Sequence, residues 1–349
     1  MPPAGTVRAP EEGGRVRVAV VGAGSWGTAL ARLAAGRAEV RLWAREPEVV
    51  ASVRQQHENT MYLPGHSLPA SVACTGDLAE CLADADLVVM AVPSHGFREV
   101  LRRAVPSLPP GAPMLSVTKG IEQETLKRMT EIVIEETRRD PAGVGVLTGP
   151  NLAREIAAGQ PAATVVAMPD PEAGLEVQRL FMGPTLRVYT NPDVVGCEAA
   201  GALKNVMAIA AGMAAGLGYG DNSTAALITR ALAELTRLGV ALGGRPLTFA
   251  GLAGMGDLVA TCISLQSRNR QVGVALGQGR RLEEIVAEMR MVAEGIKTTP
   301  AVLALAGRHG IDMPIAAMVQ QVLYEGCSPA DMVAGLMGRE AKAEMHGIA

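Results

Sequence analysis

The sequence is poor in the residues that bind metal ions or form disulfide bonds. Its 349 residues include five cysteines, which are scattered and show no C-x-x-C pairing. It also has five histidines, and none stands at the spacing of metal ligands or of a catalytic triad. These absences argue against a disulfide framework and a zinc site. We therefore expect reduced cysteines and a chemistry that uses no protein-held metal.

The sequence also lacks the charge and the long apolar runs of several protein classes. The net charge is −3, so no basic surface for nucleic acid is indicated. Residues 1–14 are rich in Pro, Gly and acidic side chains, which predicts a disordered tail without a signal peptide. The longest weakly polar stretch, residues 206–219, is too short to span a bilayer and predicts a buried helix. We expect a cytoplasmic protein with no integral membrane segment.

Short apolar segments that end in turn or capping residues dominate the first half of the chain. They are RVRVAVVG, EVRLWA, ADLVVMAVP, APMLSVT, VGVLTGP and AATVVAMP. Between them lie helical patterns. Strands that alternate with helices are typical of an α/β domain with a doubly wound parallel sheet, of the Rossmann type.

The second half of the chain has almost no strand-like runs after Asn191. It contains helical patterns such as TAALITRALAELTRLGVAL, preceded by capping residues at 221–223. A chain of this length also exceeds what one hydrophobic core usually supports. We predict a dinucleotide-binding domain over residues 15–192 and an all-helical domain over residues 193–349.

A glycine-rich loop follows the first predicted strand. Gly22, Gly24 and Gly27 form G-x-G-x-x-G between RVRVAVV and the helical pattern TALARLAAG. In that position glycines permit a tight turn and a close backbone approach, and the helix N-terminus offers N–H groups to a pyrophosphate. The loop predicts a dinucleotide site, and a purely structural turn is the alternative.

The end of the second predicted strand carries an arginine. Arg45 lies in LWARE, where a site selective for NAD would usually have Asp or Glu for the ribose hydroxyls. A guanidinium fits a 2′-phosphate, so we expect NADP(H) to be preferred. The neighbouring Glu46 leaves NAD(H) possible, and a solvated surface arginine is the alternative interpretation.

Lysine is scarce, because only five of the 32 basic residues are lysines. Lys204 lies in the apolar run EAAGALKNVMAIAAGMAAG, where desolvation would lower the pKa of its ammonium towards neutrality and allow proton transfer. A structurally paired or partly solvated lysine is the alternative. Lys119 follows the fourth predicted strand, at the sheet edge where ligands of such sheets bind, although a surface-loop lysine is also conceivable.

Two segments of the second half combine glycine with charge. Asp257 is the one carboxylate in GLAGMGDLVATC, and a buried carboxylate needs a cation, for which Lys204 is the candidate. A helix-capping Asp is the alternative. Ser267, Arg268 and Asn269, in SLQSRNRQVG, offer donors suited to a phosphate monoester. An exposed basic turn is the alternative interpretation of this segment.

These motifs together resemble the bacterial-type NAD(P)-dependent glycerol-3-phosphate dehydrogenase family. The resemblance rests on GAGSWGTALA, NTMYLPG, VTKGIE, GPNLAREIAAGQPAATVVA, GALKNVMAIAAGMAAGLGYGDNSTAALITRALAE, TFAGLAGMGDLVATC and SRNRQVG, and it runs from about Val16 to Tyr324. It implies a Rossmann domain followed by an all-α domain like the C-terminal domain of 6-phosphogluconate dehydrogenase. It also implies reduction of dihydroxyacetone phosphate to sn-glycerol 3-phosphate, which feeds glycerophospholipid synthesis.

The resemblance also implies roles for individual residues. Lys204 would be the proton acceptor, with Asp257 and Lys119 as further catalytic residues. The implied substrate contacts are Lys119, Gly149, Asn151, Lys204, Asp257, Ser267, Arg268 and Asn269. The implied cofactor contacts are Gly22, Gly24, Ser25, Trp26, Gly27, Arg45, Lys119, Ala153, Arg268, Val292 and Glu294. In the family, Ser or Thr is common where this chain has Asn151, and Gly where it has Ala231.

Two other functions compete with this one. A related dehydrogenase of β-hydroxyacids or phosphogluconate would also place a lysine in an apolar helix, but its carboxylate substrate would not require SRNR beside GMGD. A non-catalytic dinucleotide sensor would not need both Lys204 and Asp257. The sequence does not define the number of subunits, and a homodimer is compatible with it.

Overall fold

Two compact units make up the part of the chain that the computed structural model describes, which is residues 14–289, 291, 293–341 and 343–344. The first unit runs to Thr118 and continues over Met129–Val194. The second unit consists of Lys119–Arg128 and the residues from Val195 onward. The main boundary between the units therefore lies after Val194, two residues beyond the domain boundary predicted after residue 192. Most of the predicted N-terminal tail, residues 1–13, lies outside the described residues.

A sheet of eight strands forms the centre of the first unit, in the order β3-β2-β1-β4-β5-β6-β7-β8. The strands are β1 (Val16–Val21), β2 (Ala38–Trp43), β3 (Val72–Thr75), β4 (Leu87–Met90), β5 (Met114–Ser116), β6 (Val144–Thr148), β7 (Ala162–Ala167) and β8 (Leu186–Asn191). Its helices are α1 (Ser25–Ala34), α2 (Pro47–Gln56), α3 (Leu78–Leu82), α4 (Phe97–Ala104), α5 (Met129–Thr137), α6 (Ala153–Ala157) and α7 (Pro171–Phe181). The strand order 3-2-1-4-5-6 is that of the predicted doubly wound fold.

One pair of neighbouring strands departs from the predicted parallel arrangement. β6 pairs with β7 antiparallel, whereas the other neighbours pair in parallel. The helix between them, α6, has five residues and rises only about 8 Å, whereas β6 is about 16 Å long. So short a helix does not carry the chain back to the start of β6, and the sheet is mixed.

Two edge strands were not predicted from the sequence. β3 has four residues, which is too short for a clear pattern. In β8 buried and exposed positions alternate, with Arg187 and Tyr189 exposed, so its sequence is less apolar than that of the central strands. Central strands such as β4 are buried along their whole length and give the continuous apolar runs that the sequence does reveal.

From Val195 onward, the described part of the second unit is built of helices and connecting loops. Its helices are α8 (Val194–Gly216), α9 (Asp221–Ala241), α10 (Pro246–Phe249), α11 (Asp257–Ile263), α12 (Arg268–Gly277), α13 (Leu282–Glu288), α14 (Glu294–His309), α15 (Pro314–Tyr324) and α16 (Pro329–Met337). The expected capping residues at 221–223 lie inside the first turn of α9, whose N-cap is Gly220. By length and composition alone, α8 and the stretch Pro246–Ile263 would be long and apolar enough for a membrane span. In α8, 89% of the most apolar window is buried inside the protein, as expected for a core helix.

Facing glycines bring α8 and α12 into close contact. A Cβ at Gly212 would lie 2.2 Å from the carbonyl oxygen of Arg270, and one at Gly273 would lie 2.1 Å from that of Ile209. Gly216 and Gly277 repeat the arrangement one turn further along both helices. The two helices therefore run in the same direction, and this brings the start of α12 level with the residues that follow Lys204 on α8.

The segment Lys119–Arg128 differs from the predicted domain division. It lies within the predicted dinucleotide-binding domain, but it packs with the second unit. Ile121 and Leu126 belong to the apolar core of that unit, and Nη1 of Arg128 pairs with the buried carboxylate of Glu198 on α8 at 2.9 Å. Apolar burial and this ion pair hold the segment against the helices.

Candidate active site

The glycine loop has the geometry that a dinucleotide requires. Gly22 has a φ of +119°, and a Cβ there would lie 2.5 Å from the carbonyl oxygen of Ala91. A Cβ at Gly27 would lie 2.0 Å from the carbonyl oxygen of Gly22, whereas a Cβ at Gly24 would face open space. The N-terminus of α1 has no side-chain cap and no acidic residue in its first turn. These features fit a pyrophosphate against the backbone N–H groups of the loop.

A buried asparagine holds this loop in place, and the sequence did not identify it as functional. Nδ2 of Asn59, whose side chain is buried, donates to the carbonyl oxygen of Ala23 at 2.7 Å and to Oγ1 of Thr28 at 2.8 Å. Oγ of Ser25 donates to the carbonyl oxygen of Tyr62 at 2.6 Å. Asn59 begins the motif NTMYLPG, so the motif itself was the signal that could have indicated its role.

The structure brings two further predicted cofactor residues together. Trp26 and Ala153 pack against the same small apolar cluster, formed by Ala29, Leu63 and Ala157. Nε1 of Trp26 is buried and has no hydrogen-bond partner among the described residues. A buried donor of this kind needs an acceptor, and a bound nucleotide would supply one.

Arg45 lies two residues beyond the end of β2. Its side chain is 75% exposed, and its Nη2 lies 2.8 Å from Oε1 of Glu46. The guanidinium is therefore available to a ligand at the carboxyl end of the strand, but a carboxylate already pairs with it.

Gly149 and Asn151 follow the end of β6. Gly149 has a φ of +133°, which favours glycine, and a Cβ there would lie 3.3 Å from the Cα of Thr164. Oδ1 and Nδ2 of Asn151 are both buried and have no hydrogen-bond partner among the described residues. A side chain with an unmet donor and an unmet acceptor fits the predicted contact with a polar substrate.

Lys204, Asp257 and Lys119 form a charged cluster within the second unit. Nζ of Lys204 donates to Oδ1 of Asp257, and Nζ of Lys119 donates to Oδ2 of the same carboxylate at 2.7 Å. Asp257 is 1% exposed and Lys204 5% exposed. The ion pair expected between Asp257 and Lys204 is therefore present, and Lys119 is a second cation on the same carboxylate.

Burial of the cluster lowers the pKa of Lys204 to about 7, since desolvation outweighs the attraction of Asp257. The nearby positive charge of Lys119 lowers it further. At this pKa the amine can exchange a proton near neutral pH. Oγ1 of Thr261, which also accepts from Nζ of Lys204 at 2.5 Å, was not identified from the sequence. Its position four residues after Asp257, one helical turn along α11, was the available signal.

The loop before Asp257 explains how the carboxylate is placed. Leu252–Gly256 forms a π-helical turn, and a Cβ at Gly254 would lie 2.1 Å from the carbonyl oxygen of Phe249. Asp257 is the first residue of α11, and that helix has no side-chain cap. The alternative of a helix-capping Asp is therefore wrong, because both carboxylate oxygens bind lysines.

The predicted phosphate residues lie at the start of α12. Ser267 is the N-cap residue of α12, and its Oγ accepts a hydrogen bond from the backbone N–H of Arg270 at 3.3 Å. The side chain of Arg268 is exposed, and that of Asn269 is buried and bonded to Asn205 on α8. A helix N-terminus combined with a guanidinium fits a phosphate monoester.

Of the two remaining predicted cofactor residues, Glu294 is the first residue of α14, and Val292 lies outside the described residues. The predicted site residues thus form two groups. The glycine loop, Arg45, Ala153 and Asn151 belong to the first unit, and the lysine–aspartate cluster, the start of α12 and Glu294 belong to the second.

A dinucleotide loop on a doubly wound sheet, together with a helical unit that buries a lysine–aspartate pair, defines a two-domain nicotinamide-dependent oxidoreductase. The sequence model of the NAD-dependent glycerol-3-phosphate dehydrogenase N-terminus matches residues 17–174, and that of the C-terminus matches residues 193–334. The chain belongs to this family.

Individual relatives agree with this assignment. The chain is 53% identical over 332 residues to glycerol-3-phosphate dehydrogenase (NAD(P)+) 2 of Sphingopyxis alaskensis, covering 95% of this chain and 99% of the relative. It is 50% identical over 330 residues to the Moorella thermoacetica enzyme of the same name, covering 94% and 98%. The crystal structure of glycerol-3-phosphate dehydrogenase from Coxiella burnetii has a TM-score of 0.89 at 38% identity, covering 93% and 99%. The predicted fold class and family are confirmed.

Proposed function

We propose that this chain reduces dihydroxyacetone phosphate to sn-glycerol 3-phosphate, reversibly, with NAD(P)H as the electron donor and Lys204 as the proton donor. The observation that carries the assignment of Lys204 is its burial against Asp257, with a pKa lowered to about 7. When bound, the reduced nicotinamide supplies a hydride to the carbonyl carbon of the substrate.

Lys204 acts at the carbonyl oxygen. Its ammonium stabilises the negative charge that develops there and donates a proton, and in the reverse direction the neutral amine accepts the proton. Asp257 and Oγ1 of Thr261 orient Nζ, so the ammonium needs little rearrangement as charge develops. Lys119 binds the other carboxylate oxygen of Asp257 and contributes a second positive charge for the substrate and cofactor.

The phosphate binds at the start of α12. Arg268 supplies a planar pair of donors, and Ser267 and Asn269 supply neutral ones beside the positive end of the helix dipole. Gly149 and Asn151 provide further substrate contacts, for which the unmet buried polar atoms of Asn151 are suited. Binding energy from this remote phosphate holds the reacting carbon in position.

The dinucleotide binds along the glycine loop. Gly22, Gly24 and Gly27, with Ser25 and Trp26, would hold the pyrophosphate side. Ala153 and the segment of Val292 and Glu294 would line the nucleotide, and Lys119 and Arg268 would also reach it. We assign a preference for NADP(H) to the exposed Arg45, with NAD(H) also used, since Glu46 competes for the same guanidinium.

The product provides the backbone of glycerophospholipids, and we propose that the enzyme supplies their synthesis in the cytoplasm. A homodimer is the assembly that we expect, and size-exclusion chromatography with light scattering tests it.

The direct test of function is oxidation of NADPH by purified protein in the presence of dihydroxyacetone phosphate. A β-hydroxyacid and 6-phosphogluconate, each with NADP+, are the comparison substrates. We expect turnover with dihydroxyacetone phosphate and little with the others. Turnover with a carboxylate substrate alone would favour the related dehydrogenase, and binding of NADPH without turnover of any substrate would favour a sensor.

A further inference from the structure

Asn269 accepts a backbone hydrogen bond from a helix distant in sequence. The N–H of Gly295, the second residue of α14, donates to Oδ1 of Asn269 at 2.9 Å. The N-cap of α14 is Ala293, which cannot supply a side-chain cap, so Asn269 satisfies one of the N–H groups that a helix start leaves without an internal partner. The carbonyl oxygen of Gly295 accepts from Oγ1 of Thr299 at 2.7 Å, which holds this turn in place.

This hydrogen bond gives the carboxamide of Asn269 one orientation. A backbone N–H can only donate, so the oxygen of the amide must face Gly295. Nδ2 then faces Oδ1 of Asn205 at 3.0 Å. Flipping the amide would place two donors together at Gly295, at a site where Asn269 is only 8% exposed. Nδ2 carries a second N–H, which the hydrogen bond to Asn205 does not use.

The absence of a side chain at Gly295 is required by the same contacts. A Cβ at this position would lie 2.5 Å from the carbonyl oxygen of Asn205 and 2.8 Å from Oδ1 of Asn269. The first of these atoms belongs to the backbone of α8 and cannot rotate away. A methyl group at residue 295 would therefore push the start of α14 off Asn205 and lengthen the hydrogen bond to Asn269.

We propose that Gly295 is a positioning residue for phosphate recognition, because its N–H holds the Asn269 amide with the donor, and not the oxygen, available to the phosphate. A phosphate presents only acceptors, so a freely rotating amide would bind it less well. The inference rests on the proposed substrate role of Asn269. It assigns to Gly295 a role in specificity that acts through Asn269, without contact to the substrate.

The principal test is Gly295→Ala, with Gly307→Ala as the matched control on the same helix, where a Cβ would meet no atom within 4 Å. We expect Gly295→Ala to raise the KM for dihydroxyacetone phosphate and the competitive inhibition constant of inorganic phosphate together, each roughly 10-fold, about the loss of one hydrogen bond to a charged group. The kcat should change much less. Gly307→Ala should leave both constants unchanged.

A double-mutant cycle separates positioning from general structural damage. If Gly295 acts through Asn269, adding Gly295→Ala to Asn269→Ala should have little further effect on either constant. An effect in the Asn269→Ala background as large as in the wild type would overturn the proposal. So would unchanged constants in Gly295→Ala itself, or equal losses in kcat and in both constants.

Hydrogen exchange provides a readout that needs no change at Gly295. The amide of Gly295 should be protected in the wild type and in Asn269→Asp, which keeps an acceptor, and should exchange faster in Asn269→Ala. Asn269→Asp should lose phosphate affinity despite this protection, because it replaces the donor with an anion. Unchanged exchange in Asn269→Ala would overturn the proposal. A wild-type protein that does not reduce dihydroxyacetone phosphate would instead overturn the proposed function.

Discussion

Replacing Lys204 by Met tests the proton donor with the least disturbance of the fold. Methionine keeps an unbranched apolar side chain in the buried α8 and removes the ammonium that contacts Asp257 and Thr261. The buried carboxylate is not left without a cation, since Nζ of Lys119 remains 2.7 Å from Oδ2. We therefore expect Lys204→Met to fold and to bind NADPH, as thermal unfolding and fluorescence titration would measure.

Turnover of Lys204→Met should fall by about 10² to 10⁴, the usual contribution of general acid–base catalysis. This corresponds to about 3 to 5 kcal/mol of activation free energy. The upper end is expected, because in the proposed mechanism the same buried ammonium also stabilises the developing alkoxide. Stopped-flow measurement of a single turnover would separate this loss from slow product release.

The pH dependence of the forward and reverse rates provides a second test of the role of Lys204. Burial lowers the pKa of Lys204 to about 7, so the amine is protonated below that pH and neutral above it. In the proposed mechanism the reduction of dihydroxyacetone phosphate needs the protonated form, so its rate should fall as the pH rises through about 7. Oxidation of glycerol 3-phosphate needs the neutral amine, and its rate should fall as the pH drops through the same range. Lys204→Met should lose these limbs from both profiles.

Lys204→Arg distinguishes proton transfer from charge alone. The guanidinium keeps its positive charge but also keeps its proton at neutral pH, so this variant should be nearly as slow as Lys204→Met. If Lys204→Arg retained most of the wild-type turnover at neutral pH, Lys204 would not be the proton donor. Lys119, the other cation on Asp257, would then be the next candidate.

Three further predictions concern the cofactor, the phosphate and a buried carboxylate. Arg45→Ala should weaken NADPH binding by about 1.5 to 3 kcal/mol and leave NADH nearly unchanged in titrations, and equal effects on both cofactors would contradict the assigned role. Arg268→Lys keeps the charge but loses the planar pair of donors, so the KM for dihydroxyacetone phosphate should rise in steady-state assays, and unaltered kinetics would move the phosphate site elsewhere. Burial raises the pKa of Glu234 from 4.5 to about 7, so its contribution to the free energy of unfolding is present below pH 4.5 and is lost as the pH rises through about 7. Urea unfolding should detect that loss, roughly 1 to 3 kcal/mol, relative to Glu234→Gln, and parallel pH profiles of the two proteins would refute it.

The contact between Lys204 and Asp257 could be predicted from the sequence because each residue is unusual for its surroundings. A lysine in an Ala- and Gly-rich helix predicted a desolvated amine, and the lone carboxylate of the GMGD loop predicted its partner. Both expectations agree with the contact between Lys204 and Asp257. The central strands were readable for a similar reason, since burial on both faces leaves a continuous apolar run.

The parts that were not predicted depend on contacts between residues distant in sequence. The segment Lys119–Arg128 follows β5 as a short polar stretch, and only its packing assigns it to the second unit. The reversal of β7 follows from the shortness of α6, which a pattern of apolar residues does not define to within one turn. Local propensity does not carry this information.

Buried polar side chains that form hydrogen bonds with backbone groups distant in sequence are the clearest example of structure that sequence motifs do not predict. Asn59 binds the loop at Ala23, and Asn269 and Glu234 cap α14 and α15 through the N–H groups of Gly295 and Ile315. Each accepts or donates across a long separation in sequence, and each is nearly inaccessible to solvent. Since a buried polar group must be paired, exchanging any of them for an apolar residue would leave a backbone group unmet at a cost of about 1 to 3 kcal/mol. Where that backbone group also orients a ligand-binding side chain, as we propose for Gly295, the cost falls on substrate affinity as well as on stability, and a comparison of catalytic motifs alone would not detect it.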